Sequence, residues 1–473
     1  MNKRSTLKEI ISVTISNLCI VFSGVFVGFL IPKILGVTEY GYYKIFTLYT
    51  TYIGIFSFGI SEGLYLKYSG VKYENLDLKG IRFYTRLVAL LQVLIAIVLS
   101  IIAVFYLPGE YKFIFIALSI YLTALNITTY YQYIAQMTMR FRDYSARNLI
   151  KSVLTICSVI LMYIIYRAQG KNLLSYRYYL FFVLCISTVL LVMYIIKFRE
   201  ATFGVADNWK DKHTELADLI KKGIPFVVAT LCSTLILGID RQFVSIGFDT
   251  STYGIYAFAY NMLSLVTVCT SAISTVLYPT LKQSKEGQIN EKFPVLVTFV
   301  SVFVFVALNS YFPLKVFVNW FLPQYVDSLE IFRIAFPGLA FSAAISVVMQ
   351  NYYKLLDKNT LYFFINLLVL GLSVITNFIA YHFWKTPTSI SWASIFTLVI
   401  YYLIAEIYFI KNYKIHWKKN IIYILVMSAL FYLITTIDNN YVGSTIYLVI
   451  NIVLALLFFR NELNEAYNKF VKK

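Results

Sequence analysis

The sequence has little charge and few cysteines, and each shortage restricts what the protein can be. Only 14% of its 473 residues are charged and 59% are hydrophobic, whereas a soluble domain usually has ~25% and ~45–50% of these residues. The composition therefore excludes a soluble protein.

The cysteines all lie in apolar segments, where they form neither a disulfide framework nor a metal cluster; they are Cys19, Cys157, Cys185, Cys232 and Cys269. The histidines have no metal-ligand spacing either; they are His213, His382 and His416. We expect no metal and no cofactor.

The sequence also lacks the motifs of hydrolases and ATPases. It contains no phosphate loop of the G-x-x-x-x-G-K-[ST] type, no H-E-x-x-H and no nucleophile elbow. The expected outer loops are short, the longest running from about Pro313 to Glu330, and they leave no room for the outer domain of a glycosyltransferase or polymerase. We expect that the protein is not an enzyme, and that an ion gradient, the membrane potential or the substrate gradient supplies its energy.

Long hydrophobic runs make up most of the chain. Hydropathy predicts an all-α polytopic membrane protein with about fourteen transmembrane helices. The first, Ile10–Leu35, is longer than the ~7–15-residue core of a signal peptide. With the N-terminus inside, the inner loops and span ends hold 31 of the 41 Lys and Arg and the outer ones hold 9, and Arg241 is the remaining one. Cytoplasmic loops carry the excess of Lys and Arg, so we expect both termini to be cytoplasmic. The net charge of +18 then suits anionic lipid headgroups and does not indicate nucleic acid.

An internal repeat predicts two lobes. At an offset of 213, Leu18-Cys19 matches Leu231-Cys232, and Tyr40-Gly41-x-Tyr43 matches Tyr253-Gly254-x-Tyr256 at the same outer turn; Lys8 also matches Lys221. Each repeat contains six helices, so the halves would be parallel and related by an axis along the membrane normal, with the substrate path between them. We expect an N-terminal lobe over 1–200, a C-terminal lobe over 201–415, and two extra helices over 416–473, with the long inner loop Lys197–Lys222 dividing the lobes.

The most informative span is Ile220–Phe248, because Asp240 and Arg241 lie in it side by side. A lone Arg facing lipid costs at least ~2.5 kcal/mol, so such residues face a bundle interior or a wet cavity. Small and polar residues at spacings of four, three and four form a stripe on one side of a continuous helix; they are Thr234, Gly238, Arg241 and Ser245. One interpretation is a structural ion pair between two helices. The other is an anion-binding group that lines a path across the membrane.

Three stretches resemble a known family. They are Leu35–Tyr43 (LGVTEYGYY), Gly59–Tyr68 (GISEGLYLKY) and Asp240-Arg241, and the segment Arg140–Arg147 (RFRDYSAR) is similar to the family's cytoplasmic loop. Together they resemble the Wzx-type polysaccharide (O-antigen) flippases of the multidrug/oligosaccharidyl-lipid/polysaccharide exporter (MOP) superfamily. The resemblance implies that the substrate is an undecaprenyl-diphosphate-linked oligosaccharide, turned from the inner to the outer leaflet of a bacterial cytoplasmic membrane. Relatives often have Asp where this chain has Glu62, which leaves the geometry there open.

The charged candidates each have an alternative. Arg241, with Lys33 and Lys44, is expected to bind the diphosphate, because a guanidinium matches phosphate oxygens; the two lysines could instead extend to the outer interface. Glu62 is expected to be a proton or sodium site, or else to pair with Lys67 near the inner headgroups. Asp240 is expected to be ionised and to hold Lys33 or Lys44 in place.

Amide side chains within the spans are candidates for contacts with the sugar, although buried amides are more often bonds between helices. They are Asn17, Asn126, Gln132, Asn261, Gln350 and Asn377.

The sequence leaves two other functions open. A cation-coupled drug exporter of the same superfamily would need an acidic cavity, and that branch usually has twelve helices. A non-transporting scaffold for polysaccharide assembly would not need Arg241 in the membrane. The expected partners are the lipid-linked oligosaccharide, membrane lipids, and the polysaccharide polymerase with its chain-length machinery.

Overall fold

The protein is helical throughout the part that its computed structural model describes, which is residues 3–282, 286–413 and 417–471. His416 and the side chain of Cys269 lie outside the described residues. Contacts divide the chain into two compact units, residues 1–234 and 235–473. Among the described residues, ten helices are long and apolar enough to cross a membrane, and one further pair, bent by 47°, could form another span. The prediction of an all-α polytopic protein is confirmed, while the count of fourteen and the division into lobes of six, six and two helices stay predictions.

The first unit contains helices α1 to α8 and most of α9. They are α1 (Lys3–Leu35), α2 (Val37–Thr50), α3 (Ile60–Tyr68), α4 (Leu78–Tyr106), α5 (Gly109–Met137), α6 (Phe141–Ala168), α7 (Tyr176–Lys197), α8 (Arg199–Thr202) and α9 (Trp209–Ile236). Helix α5 packs against α3, α4 and α7, and α1 packs along α6. Buried tyrosines are prominent in the core, because a ring fills space while its hydroxyl finds a polar partner. The Tyr130 hydroxyl, for example, bonds the Thr85 hydroxyl at 2.9 Å.

A break divides the apolar segment of about Tyr43–Leu66, which hydropathy predicts as the second span. Helix α2 ends at Thr50, a 3-10 turn covers Ile53–Ser57, and α3 begins at Ile60. Phe58 and Gly59 have φ values of 49° and 74°, and this left-handed backbone cannot continue an α-helix. Non-helical backbone at membrane depth is tolerated where protein buries it or where it lines a cavity. Glu62 therefore lies in the first turn of a separate short helix.

Helices α3 and α9 are in close contact through glycines. A Cβ at Gly223 would collide with the backbone carbonyl of Gly59, and a Cβ at Gly63 would collide with that of Leu219. Small residues allow the backbones of membrane helices to approach each other in this way. Neither glycine can carry a side chain unless the two helices separate.

Ion pairs attach the long inner loop to the first unit. The Lys212 ammonium contacts the carboxylates of Asp77 at 2.7 Å and Glu215 at 3.0 Å, and Glu215 also contacts Lys67 at 2.6 Å. Burial alone would raise the pKa of Asp77, but the hydrogen bonds from Lys212 and from the Gly80 amide outweigh it and lower the pKa below its ordinary value. Asp77 is therefore ionised at neutral pH, and the segment expected to divide the lobes is held against α3 and α4.

The second unit contains α10 to α20. They are α10 (Ile239–Gly247), α11 (Thr250–Lys282), α12 (Glu286–Leu308), α13 (Tyr311–Phe321), α14 (Ser328–Ala335), α15 (Gly338–Ala343), α16 (Gln350–Leu355), α17 (Asn359–Phe383), α18 (Pro387–Tyr413), α19 (Trp417–Ile434) and α20 (Asn440–Val471). A π-helical segment, Ala344–Met349, joins α15 to α16. Helix α18 packs against α14, α15 and α17, and the last two helices pack against α12. Helices α19 and α20 are therefore part of the core of this unit.

Candidate functional site

The expected continuous span Ile220–Phe248 is interrupted. Helix α9 ends at Ile236, and α10 begins at Ile239 after a turn at Leu237-Gly238. Thr234 and Arg241 therefore lie on different helices, and the polar stripe inferred for a single helix does not extend across the break. Asp240 lies in the first turn of α10, where free amide groups and the helix dipole favour negative charge.

Asp240 is held by tyrosines of the neighbouring helix α11. Its carboxylate accepts a hydrogen bond from the Tyr256 hydroxyl at 2.8 Å and another from the Tyr260 hydroxyl. The residue is only 2% exposed. A buried charge needs such partners to offset lost hydration. Asp240 in turn fixes the position of the Tyr260 ring.

Arg241 stacks on that ring. Its guanidinium lies 5.2 Å from the centre of Tyr260 and donates a hydrogen bond to the Leu237 carbonyl at 3.1 Å, while Nε is buried without a hydrogen-bond partner. Asp240 and Arg241 both line a cavity of about 270 Å³, the Arg241 cavity. Its other polar lining residues are Tyr260, Ser264, Thr267, Ser342, Ser391 and Ser394.

The structural ion pair finds no support at Arg241. Among the described residues, no carboxylate forms a salt bridge with its guanidinium. The group is half-buried and lines a cavity. It is therefore available to an anion that enters the cavity.

Glu62 lies in a separate, smaller cavity of the first unit. It is 7% exposed, and its carboxylate accepts a hydrogen bond from the Ser57 hydroxyl at 3.0 Å. The cavity of about 100 Å³, the Glu62 cavity, is lined by Thr51, Gly54, Ile55, Glu62, Tyr133, Phe226, Val227, Thr230, Leu231 and Thr234. The alternative pairing with Lys67 is wrong, because Lys67 contacts Glu215 instead. Glu62 has no salt bridge within the described part of the chain.

Lys33 and Lys44 are half-buried residues of the first unit. The Lys44 ammonium lies 5.2 Å from the centre of the Tyr40 ring and 5.6 Å from that of Tyr43, and Lys33 lies in the last turn of α1. Asp240 belongs to the second unit, so its pairing with either lysine stays a prediction, and so does their contact with a diphosphate.

The amide candidates fall into different environments. Asn126 donates to the Ile53 carbonyl at 3.2 Å and to Gln92 at 2.8 Å, which makes it a bond between helices. Asn377 donates to the Ser373 carbonyl of its own helix. Gln132 lines a large cavity of the first unit. Asn17 is exposed, whereas Asn261 and Gln350 are half-buried.

Two basic residues of that large cavity were not among the sequence candidates. Arg147 and Lys151 both line it, and we call it the Arg147 cavity; its volume is about 270 Å³. Hydropathy predicts a span of about Leu149–Tyr166, with Arg147 in the loop before it and Lys151 at its start. In the structure α6 begins at Phe141, so Lys151 lies ~15 Å along the helix. Their spacing of four residues along one helix face was the only signal in the sequence.

Comparisons with known proteins place this fold. A family model described as "Polysaccharide biosynthesis protein" matches residues 6–285. No curated protein sequence matches the chain. A structure of the lipid II flippase MurJ in an inward closed conformation is similar with a TM-score of 0.70 and 14% identity, over 99% of this chain and 100% of that one. A mutant form of the Vibrio cholerae MATE transporter VcmN is similar with a TM-score of 0.56 and 16% identity, over 87% of this chain and 98% of that one.

The fold and the family agree with each other. At these identities the structural likeness shows the fold alone, which is shared with a flippase and a MATE transporter. The family model covers more than half of the chain, and it confirms the resemblance that the motifs indicated. This multi-pass membrane protein belongs to the polysaccharide biosynthesis protein family.

Proposed function

We propose that the protein flips an undecaprenyl-diphosphate-linked oligosaccharide, the repeat unit of O-antigen, capsule or another surface polysaccharide, from the inner to the outer leaflet. The observation that carries this proposal is the half-buried Arg241 guanidinium. It lines a cavity and forms no salt bridge with a carboxylate of the described residues. A diphosphate that leaves water needs fixed cations and donors in place of its hydration. Arg241 supplies the cation, and the hydroxyl groups lining the Arg241 cavity supply further polar contacts.

We further propose that the protein works by alternating access and that an ion gradient drives the flipping. Glu62 is a buried carboxyl group in a small cavity lined by Thr51, Tyr133 and Thr230. Such a group inside a membrane span can take up and release a proton when its access to water changes. We assign coupling to Glu62, and we assign to Asp240 the task of holding Tyr260 under Arg241. Lys33 and Lys44 remain proposed contacts of the diphosphate.

Reconstitution tests this function. The purified chain in proteoliposomes should move a fluorescent undecaprenyl-diphosphate oligosaccharide between leaflets, faster when a proton or sodium gradient is imposed, as measured by exposure of the sugar to a membrane-impermeant reagent. A phosphatidylcholine analogue should not move, which distinguishes flipping from scrambling. If the lipid-linked sugar moves no faster than in protein-free vesicles, the proposal fails. Accumulation of a cationic dye in the same vesicles would then indicate the drug exporter, and no transport at all would indicate the scaffold.

We also propose that both termini are cytoplasmic, in a bacterial cytoplasmic membrane, from the distribution of Lys and Arg. Reporters fused after cytoplasmic positions should give a cytoplasmic signal; these positions are Lys72, Arg142, Lys210 and Lys418. Reporters fused after outer positions should give an external signal; these positions are Lys112, Lys171 and Lys385. An external signal at Lys210 would contradict the orientation.

A further inference from the structure

The Arg147 cavity lies entirely within the first unit, and nothing in the proposed function uses it. It is lined by residues of α1, α2, α5, α6 and α7. Its volume of about 270 Å³ far exceeds the ~10–15 Å³ that one water molecule needs. The cavity can therefore hold a group much larger than a single small ion.

The lining carries positive charge without negative charge. Arg147 and Lys151 project from successive turns of α6, and no Asp or Glu is among the residues that line the cavity. The nearest carboxylate is that of Asp143, which lies 3.8 Å from the Arg147 guanidinium but also contacts Arg140 at 3.0 Å and Lys197 at 3.1 Å. One carboxylate thus serves three cations. Lys151 has no carboxylate partner among the described residues.

The same lining contains buried polar groups without hydrogen-bond partners. Nε of Arg147, Nδ2 of Asn148 and the hydroxyl of Thr128 have none, and these residues are 8%, 5% and 6% exposed. Nearly all buried polar atoms in native structures are satisfied, so such atoms require an explanation. Two of the three are pure donors, so the polar groups around this cavity favour a ligand with acceptor oxygens.

Aromatic rings complete the cavity. Tyr43 and Tyr179 line it and pack edge to face at 4.9 Å, and Tyr121 and Tyr194 also line it. The Arg147 guanidinium lies over the Tyr194 ring at 4.6 Å, which holds it in a defined position. The cavity thus offers flat faces beside two cations, an arrangement suited to a sugar ring that carries an oxyanion.

We propose that the Arg147 cavity is a second anion site, separate from Arg241, which binds a phosphate or carboxylate group attached to a body of the size of a sugar. Lys151 supplies the mobile cation, Arg147 the fixed one, and Asn148 and Thr128 the neutral hydrogen bonds. The site does not depend on the proposed flipping of a lipid-linked oligosaccharide, although such a substrate is one source of the anion. A free sugar phosphate and an anionic lipid headgroup are the other sources of the same chemistry.

Binding to the purified full chain tests the site. The probes are inorganic pyrophosphate, glucose 1-phosphate and neutral glucose, measured by calorimetry in nanodiscs of phosphatidylcholine. The background is Arg241→Ala, which removes the cation of the other cavity. Both anions should bind and glucose should not. Adding Lys151→Gln should weaken pyrophosphate binding by at least about tenfold, because the loss of one hydrogen bond to a charged group lowers the affinity by about that factor.

Two further variants separate charge from structure. Lys151→Arg keeps the charge and should restore binding, whereas Lys112→Gln, at an exposed position on α5, should leave it unchanged. If Lys151→Gln binds pyrophosphate as its parent does, or if glucose binds equally well, the site is not an anion site. Should Lys151→Gln fail to fold, unimpaired binding in Asn148→Leu would overturn the proposal by the same criterion.

The lipid composition identifies the occupant. Nanodiscs that contain phosphatidic acid should compete with pyrophosphate if the source is a lipid headgroup, and should not compete if it is a soluble sugar phosphate. Either result supports an oxyanion site. Because none of these measurements involves transport, a failure of the flipping assay leaves the inference intact, and a failure here leaves the flipping proposal intact.

Discussion

Replacing Arg241 by alanine is expected to lower the rate of flipping by roughly ten- to a hundredfold, since a hydrogen bond to a charged group contributes ~1.5–3 kcal/mol. Abundance in the membrane should stay normal, because the guanidinium forms no salt bridge within the described residues and its removal leaves no buried carboxylate without a partner. Arg241→Lys should retain part of the rate, since it keeps the charge but loses the bidentate geometry. The measurement is the initial rate of sugar exposure in proteoliposomes with matched amounts of protein.

A matched control separates this effect from a general loss of positive charge. Lys385→Gln removes a charge from an exposed position of the same unit and should flip at the parental rate. Full activity in Arg241→Ala would show that this residue does not bind the diphosphate. A variant that fails to accumulate would instead support a structural role for the guanidinium, through its contacts with Tyr260 and the Leu237 carbonyl.

Replacing Glu62 by glutamine is expected to abolish the response of flipping to an imposed gradient, so that the rate becomes the same with and without it. Glutamine has the size of the protonated acid and can still accept a hydrogen bond from Ser57, so packing should persist, but it cannot exchange a proton. Substrate binding, measured by calorimetry with the lipid-linked sugar, should therefore change little. The flipping rate should be compared with and without proton and sodium gradients.

Two further variants test whether the loss of the gradient response is specific to the titratable group of Glu62. Glu62→Asp keeps the titratable group and should keep a partial response to the gradient. Glu74→Gln removes an exposed acid from the turn that follows α3 and should behave as the parent. If Glu62→Gln responds to the gradient as the parent does, Glu62 is a packing residue and coupling takes place elsewhere. Glu406, fully buried with one carboxylate oxygen lacking a hydrogen-bond partner, would be the next residue to replace.

Composition and short motifs were enough to establish the class of protein. The shortage of charge and the long apolar runs predicted a helical membrane protein, and the LGVTEYGYY segment indicated a polysaccharide family; the fold and the family model over residues 6–285 confirm both. Composition suffices because a bilayer imposes one rule on every span, which is that its backbone must satisfy its own hydrogen bonds. A second rule, that a charged side chain inside a span is costly, marked Arg241 and Glu62 as unusual.

The helix breaks, by contrast, were visible only in the tertiary structure. Hydropathy runs without a gap through Thr50–Ile60 and through Ile236–Ile239, so a window average cannot detect the turns there. The left-handed backbone at Phe58 and Gly59 lies where Gly59 packs directly against Gly223, which is distant in sequence. These breaks place Glu62 and Asp240 at the starts of short helices.

The partners of the charged side chains were also decided only by packing. In sequence, Lys67 stands five residues from Glu62, yet its ammonium reaches Glu215, because α9 lies against α3. Asp240 stands beside Arg241, yet it accepts hydrogen bonds from two tyrosines of α11. The cavity around Arg147 and Lys151 is likewise formed by residues of five helices that pack together. The sequence alone determined which charged residues are energetically costly inside a membrane. Only the tertiary structure determined which groups contact those residues, because the contacts join elements far apart along the chain.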